Sequence, residues 1–469
     1  MTQTLMRLKL PLLLIAAVLI RLGIFFAFPS VFAFDDTGVI HGSTAYDTYA
    51  VNLVETGVYG IVPGVPDANI PPLYSYALAA VYALFGRSAL SAAIFHIALD
   101  AVSIWLVYDS ARRLFNPHGV WIGWLAGVFY AAYPYLIFQN LTLIDTPFFM
   151  LLLHVFIWLI IRLREPEHPN RAAWRWAVLA GIALGLGTLA RPILPMLALV
   201  LPLWFLARRS LVQTILRLAP VAAISLIVLL PWFIRNHGVY GQFVAMSVTT
   251  GSNFYQGNNP LVIPLMRAGY DVQWTSPQIT TADPNSPAAD AERMAIALAF
   301  LRENPALIPD LWATKFLAHW SIDIFPRFNP TAGTDPNTAQ IGDSTITIMP
   351  DGTVAITGLP EGDPVTAYST DAFQIGRVLH RYYFGGLLVL ALMGVILTAR
   401  SWRDVSLLWL VQIAMTVAYV LFHPSTRYRA PSDPLLFVLS AAALVTMAQW
   451  FIDRWTTRAL SNPARKITG

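Results

Sequence analysis

The sequence predicts an all-α polytopic membrane protein with about ten transmembrane helices, interfacial helices and a small α+β outer subdomain. Three observations carry this. Of 469 residues, 56% are hydrophobic and only 12% charged, where soluble domains carry about 25% charged residues. Apolar runs near the ~20 residues that span a bilayer recur along the chain. Two polar stretches, Phe34–Tyr76 and 235–380, interrupt them. The absence of cysteine excludes disulfides and thiolate metal sites. A net charge of +4 is no sign of a nucleic-acid partner, because the basic residues sort by membrane side.

Apolar runs lie at 10–28, 88–109, 119–138, 141–161, 174–190, 193–207, 215–234, 382–399, 404–422 and 434–452. The first follows Arg7 and Lys9 and lacks a small-residue cleavage site, so it reads as a retained span. Segment 71–86 is apolar but short and opens with Pro71-Pro72; charge decides its placement. If it lies along the interface, the N-terminus, 110–118, 162–173, 208–214, 400–403 and 453–469 share one side. With Arg175 and Arg217 these carry seventeen Lys and Arg, against four (Arg87, Arg191, Arg427, Arg429) in the short loops opposite. Basic residues accumulate on the cytoplasmic side. If 71–86 crossed, every later basic cluster would flip outward. The expectation is therefore an interfacial 71–86, cytoplasmic termini and an outward first loop.

The chain divides into an N-terminal membrane module, 1–234, with its first outward loop at 29–87; an outward subdomain, 235–380; and C-terminal membrane helices, 381–469. In the first loop, Tyr46, Tyr49, Ala50 and Leu53 form one apolar helical face, expected on the membrane. In the subdomain, Ser286-Pro287 followed by Asp290 and Glu292 predicts a helix start. Asn304-Pro305 predicts another, and STITIMPDGTVAITG predicts a hairpin about Pro350-Asp351-Gly352. No internal repeat of the kind transporters show is visible.

Charged residues at membrane depth need partners. Arg21 and His96 fall at similar depth, with Asp100 one helical turn beyond His96. Arg21 is expected to pair with Asp100, His96 or both, as a structural clasp or as a phosphate holder. Asp145, before Thr146-Pro147, either favours a helix start with Thr146 as cap or presents a second outward carboxylate. Asp35, Asp36, Asp47 and Glu55 crowd the first loop. Each reads as a solvated or terminating residue, or as a carboxylate poised for proton transfer. Arg191, Arg235, Arg427 and Arg429 sit where basic residues are disfavoured, and planar guanidinium groups suit a phosphate. No Walker loop, dinucleotide fingerprint, HExxH or GxSxG appears, and the histidines are not metal-spaced.

At these residues the chain resembles the GT-C integral-membrane glycosyltransferases of the protein-mannosyltransferase and aminoarabinose-transferase type, glycosyltransferase family 39. The pieces are Y-x-x-x-A-x-N-L-x-E-x-G at 46–57, PPLY at 71–74, ARRLF at 111–115 and Asp145 before its span. They continue with GLGTLARP at 185–192, PWFIRN at 231–236, GNNP at 257–260 and RYRAP-x-x-P at 427–434. The resemblance implies sugar transfer from a polyprenyl-phosphate donor to an acceptor (lipid, glycan or protein) on the outer face of a bacterial plasma membrane. It implies a carboxylate base in the first outward loop. The family usually places that aspartate four residues before the tyrosine, where this chain has Gly42. Asp36 or Asp47 takes the role through a shifted loop, or the chain is catalytically impaired.

The candidate catalytic residues are Asp47, Asp36 and Asp145. Arg427, Arg429, Arg191, Arg235, Tyr46 and Glu55 are the candidates for substrate and phosphate. The sequence requires no cofactor and supplies no defensible metal ligands, although two wet carboxylates suit a divalent cation such as Mg or Mn. A non-catalytic membrane scaffold and a lipid or glycan transporter are the rival readings.

Overall fold

The computed structural model describes residues 2–28, 44–165, 170–328, 331–332, 338–341, 344–348, 354–357 and 371–461. Asp35, Asp36, Gly42 and the turn at 350–352 lie outside them. Eight described helices are long and apolar enough to cross a bilayer. In chain order they are α1 (Thr2–Ala27), α4 (Ala89–Leu114), α7 (Thr146–Arg164), α8 (Asn170–Ala190), α10 (Leu211–Tyr240), α15 (Asp371–Leu397), α16 (Trp402–Leu421) and α18 (Asp433–Ser461).

The run expected as one span at 119–138 is instead a bent pair. Helices α5 (Gly119–Ala131) and α6 (Pro134–Leu141) meet at 59°. Pro134 has no N–H to donate and its ring disfavours a continuous helix, so a new helix begins there after extended Tyr133. The run expected as a span at 193–207 is a shorter apolar segment, Leu194–Leu206, which opens as a 3-10 helix, Leu194–Leu199, and closes as α9, Leu201–Leu206. A 3-10 helix rises about 2.0 Å per residue against about 1.5 Å for an α-helix, which stretches this short segment. Its flanks lie at opposite ends of the bundle. Arg191, before it, binds Asp145 ahead of α7, while Trp204 and Arg208 bind Asp404 at the start of α16. That Asp404 end also gathers Arg112, Arg113, Arg162 and Arg164, paired with Asp109, Glu165 and Asp404.

At the other end, α2 (Thr44–Thr56) packs on α3 (Leu73–Phe85). Helix α3 is too short to cross, in keeping with the interfacial placement of 71–86. The apolar face of α2 does not lie on lipid as expected. Tyr46, Tyr49 and Ala50 are buried in protein, against Tyr74, Leu78 and Tyr82 of α3 and against Tyr59 and Trp232. Arg235 ties this loop to α10 by donating to the carbonyls of Tyr59 and Asp67.

Between α10 and α15 lies a peripheral subdomain. It holds α11 (Thr250–Gly257), α12 (Val262–Ala268), α13 (Pro287–Glu303) and α14 (Ile308–His319). Ser286 caps α13 by accepting from the Ala289 N–H, as its sequence predicts. The expected hairpin is the antiparallel pair 344–348 and 354–357, within a four-stranded sheet in sequential order. Gly257 lets the subdomain sit on the bundle, since a Cβ there would lie 1.8 Å from the Phe422 carbonyl oxygen.

Candidate functional site

Three segments deliver three charges to one point. Asp145 is the N-cap residue of α7, but its side chain does not cap the helix. Arg191 follows the last turn of α8 and donates to both Asp145 oxygens, Nε at 2.5 Å and Nη2 at 2.8 Å, and to Thr146 Oγ1 at 2.8 Å. Arg427 lies on α17 (Thr426–Arg429), a short helix capped by Ser425, and its Nη2 donates to Asp145 Oδ1 at 2.9 Å. Asp145 is 1% exposed and Arg191 6%. Burial pushes the Asp145 carboxyl up, but the two guanidinium groups outweigh it and hold it well below the usual carboxylate range. The helix does start here, with Pro147 in its first turn, but Thr146 does not cap it, and Asp145 is at the same time the centre of an ion triad.

The triad is unbalanced: two cations share one anion. Arg191 Nη1 and Arg427 Nε are buried without a hydrogen-bond partner among the described residues. Aromatic rings wall the site. The Arg191 guanidinium lies 5.1 Å over Phe149 and 5.7 Å over Tyr428, and Tyr428 stacks on Tyr419 at 4.9 Å. Tyr46 meets Tyr74 edge-on at 5.0 Å, and the Tyr74 hydroxyl bonds His96 Nε2 at 2.9 Å. Together these form an aromatic-walled, positively charged niche, with Arg427 partly exposed, that suits a compact anion.

The other sequence candidates divide. Tyr46 reaches the niche closely enough that Asp145, Arg427 and Arg191 all act on its hydroxyl. Asp47 points elsewhere: Arg87 Nε and Nη2 and the Tyr82 hydroxyl occupy its oxygens at 2.6–3.2 Å. Glu55 is exposed near the end of α2, and Arg235 is committed to the first loop. Arg429 is not available for a phosphate. It is fully buried, pairs with Asp433 at 3.2 Å, donates to the carbonyls of His319 and Ser321, and lies under Phe384. Two residues apart on one helical turn, Arg427 and Arg429 point to different partners. Asp36 lies outside the described residues.

Two residues near the niche were not singled out by sequence reasoning. Asp271 shares its surroundings with Arg427 and Tyr428, and burial raises its carboxyl to about 6 despite hydrogen bonds from the Gln273 and Val272 N–H groups. No pattern in GYDVQW marks it. Lys315, fully buried, donates to Asn258 Oδ1 and the Val420 carbonyl, and burial lowers it to about 7. A lysine inside the apolar WATKFLAHW run was a legible signal. A divalent cation does not fit the triad, since both Asp145 oxygens accept from arginine. Among the described residues no three His, Asp or Glu side chains group to hold a metal.

Residues 69–234 match the family model described as dolichyl-phosphate-mannose-protein mannosyltransferase. No curated protein matches the chain in sequence. Among solved structures, the archaeal oligosaccharyltransferase AglB from Archaeoglobus fulgidus, in complex with an inhibitory peptide and a dolichol-phosphate, aligns with 100% of this chain. The alignment covers 53% of that chain at 16% identity, with TM-score 0.54. The A. fulgidus oligosaccharyltransferase tethered with an acceptor peptide aligns over 98% and 52%, at 14% identity and TM-score 0.53. The chain thus spans about half the length of these structures. ArnT from Cupriavidus metallidurans bound to undecaprenyl phosphate aligns over 93% and 77% at 14% identity, with a TM-score of 0.41. The chain has the GT-C fold of integral-membrane glycosyltransferases, and its residues 69–234 match the mannosyltransferase family within that fold.

Proposed function

We propose that the protein moves a hexosyl or pentosyl group from a polyprenyl-phosphate carrier to an acceptor hydroxyl on the outer face of a bacterial plasma membrane. Residues 235–380 then form an outward subdomain between membrane modules 1–234 and 381–469. The observation that carries this reading is the Asp145–Arg191–Arg427 triad, two guanidinium groups sharing one buried carboxylate at one end of a membrane bundle. AglB, which shares the fold, has been solved with a dolichol-phosphate, a ligand of the proposed carrier's chemistry.

The reaction is a single inverting displacement. The acceptor oxygen attacks the anomeric carbon, and the bond from that carbon to the phosphate oxygen breaks with its electron pair on the phosphate. Arg191 and Arg427 stabilise the charge that grows there, so the leaving group needs no acid. The acceptor proton passes to a carboxylate. Asp145, held ionised by two arginines, is a poor base and serves to orient them. Asp47 is occupied by Arg87 and Tyr82. Asp271, half-buried and raised to about 6, suits proton acceptance near neutral pH, and Asp36 is its rival.

The test is sugar release from synthetic polyprenyl-phosphate sugars by purified protein, with Asp36→Asn, Asp47→Asn, Asp145→Asn and Asp271→Asn compared and folding checked. Loss of a general base lowers turnover by roughly 10²–10⁴-fold, and we expect that loss at Asp271. Full activity in all four variants sinks the carboxylate mechanism. Wild-type protein that binds carrier phosphate but transfers no sugar leaves the scaffold reading.

A further inference from the structure

Beside the triad, the peripheral subdomain holds a half-open cavity of about 170 Å³ between the first loop and the 248–293 segment. Its wall carries Asn69, Ser252, Tyr255, Gln256, Gln273 and Trp274; no carboxylate lines it, and its one charged lining residue, Arg293, donates to the Pro284 carbonyl. Two of these hold polar atoms that the protein leaves unsatisfied. Asn69 Oδ1 and Trp274 Nε1 are buried without a hydrogen-bond partner among the described residues, although buried polar groups are nearly always paired.

The cavity is built rather than incidental. Gln256 Nε2 donates to the Gln273 carbonyl at 2.6 Å, and Thr249 Oγ1 donates to the Asn69 carbonyl at 3.0 Å. The Val248 N–H donates to the Ala68 carbonyl at 2.9 Å, which locks the first loop to this wall. The buried Asn259 of the GNNP stretch bonds Tyr255 and Thr275 and so fixes two sides of the cavity. Gln273 is the partition towards the triad: its Nε2 donates to the Tyr428 hydroxyl at 2.9 Å, and Tyr428 is the ring beneath Arg191 and Arg427.

Amide and hydroxyl groups beside Tyr255 and Trp274 suit a ligand that is neutral, densely hydroxylated and flat on one face. Amides both donate and accept, which matches sugar hydroxyls, and the aromatic rings offer apolar area to the C–H face of a ring. A cavity of about 150 Å³ holds a benzene-sized molecule, so the half-open space here seats one face of a single pyranose and leaves its other hydroxyls in the mouth. An anionic ligand would choose the triad instead. We propose that this cavity is an acceptor subsite for a single neutral pyranose, placing the acceptor next to the phosphate niche across Gln273 and Tyr428. The proposal rests on the transferase reading for the word acceptor, while the binding of a sugar ring stands by itself.

The test uses the purified full chain in lipid nanodiscs and saturation-transfer difference NMR with the methyl glycosides of mannose, glucose and galactose as probes. At least one glycoside should give a signal. Trp274→Ala should reduce it at least tenfold, as should Ser276→Trp, which fills the cavity from an exposed rim position; thermal unfolding checks that both fold. Arg427→Ala should keep the glycoside signal while losing carrier-phosphate binding. In transfer assays, Trp274→Ala should raise the acceptor KM and leave the donor KM unchanged. A rise in donor KM instead would assign the ring to the donor and overturn the proposal. So would a signal that survives both cavity variants, or silence from all three glycosides with an extended serine-rich peptide binding in their place. Glycoside binding that persists in a protein with no affinity for polyprenyl phosphate would overturn the transferase reading and leave the sugar site standing.

Discussion

Two buried ion clusters, both built from arginine and aspartate, differ in a way that separates architecture from function. In the first, Arg21 of α1 meets Asp100 of α4 inside the bundle, Nε to Oδ2 at 2.6 Å, each side chain 1% exposed. One cation faces one anion, and Arg21 Nη1 donates to the Ala17 and Ala131 carbonyls. The second is the Asp145–Arg191–Arg427 triad, with one anion for two cations. A buried charge without a counterion is strongly unfavourable. The balanced pair matches one cation to one carboxylate, whereas in the triad two guanidinium groups share Asp145 and can be shared further by an incoming phosphate. Arg429–Asp433, balanced and further satisfied by two carbonyls, belongs with the first kind.

The largest expected effect falls on the balanced pair. Arg21→Ala leaves Asp100 alone in the bundle, and breaking a buried pair in this way costs about 3–5 kcal/mol. Thermal unfolding in detergent should show that loss. Replacing Arg21 and Asp100 together by leucine should recover part of it, because two apolar side chains leave no orphaned charge. Strictly additive losses would mean that the two residues do not stabilise one another. They would also remove the contrast with the triad.

The triad should answer differently. Removing a hydrogen bond to a charged group costs about 1.5–3 kcal/mol, so Arg427→Ala should weaken polyprenyl-phosphate binding roughly 10–100-fold, measured by fluorescence titration with a labelled carrier. Turnover should fall with it, since the phosphate is charged in both ground and transition states. Stability should change little, because Asp145 keeps Arg191. Arg429→Met should show the reverse, a stability loss with carrier affinity preserved. Equal effects of both variants on carrier binding would erase the distinction between charge-balanced and charge-excess clusters.

What the sequence disclosed follows the same divide. The Arg21–Asp100 pairing was legible because helical rise converts position along a span into depth, and two ions at one depth need each other. That 71–86 forms a helix too short to cross was legible from its length and its Pro71-Pro72 start, while the charge argument for its interfacial place remains an expectation. The triad was visible as isolated members only. Asp145, Arg191 and Arg427 lie on three separate segments, and no spacing along a chain encodes a meeting point made by tertiary packing. For the same reason Arg429 looked equivalent to Arg427, and Asp47 looked available until the turn between α3 and α4 brought Arg87 onto it. The bend at Pro134 was written in the residue, but the apolar run concealed it. Asp271 had no sequence signal at all, since its character comes from burial and not from neighbours in the chain.

The smallest expected effect concerns pH, and it tests whether Asp271 joins the triad in chemistry. Burial raises its carboxyl to about 6, while an unfolded aspartate titrates near 3.9. Proton acceptance requires the carboxylate, so kcat/KM should fall roughly tenfold per pH unit below 6. Stability should move in the opposite direction. Between about pH 4 and 6 the folded chain holds a proton that the unfolded chain has released, so this group favours the folded state at low pH and loses that contribution as pH rises through 6. Asp271→Asn mimics the neutral carboxyl at every pH. It should abolish the acid limb of the residual activity and remove this residue's share of the stability change over the same window. The two readouts separate the roles: a purely structural Asp271 would alter the stability profile and leave the kinetic limb in place. A limb near 6 that persists in the variant moves the base to another carboxylate, and Asp36→Asn then becomes the deciding measurement.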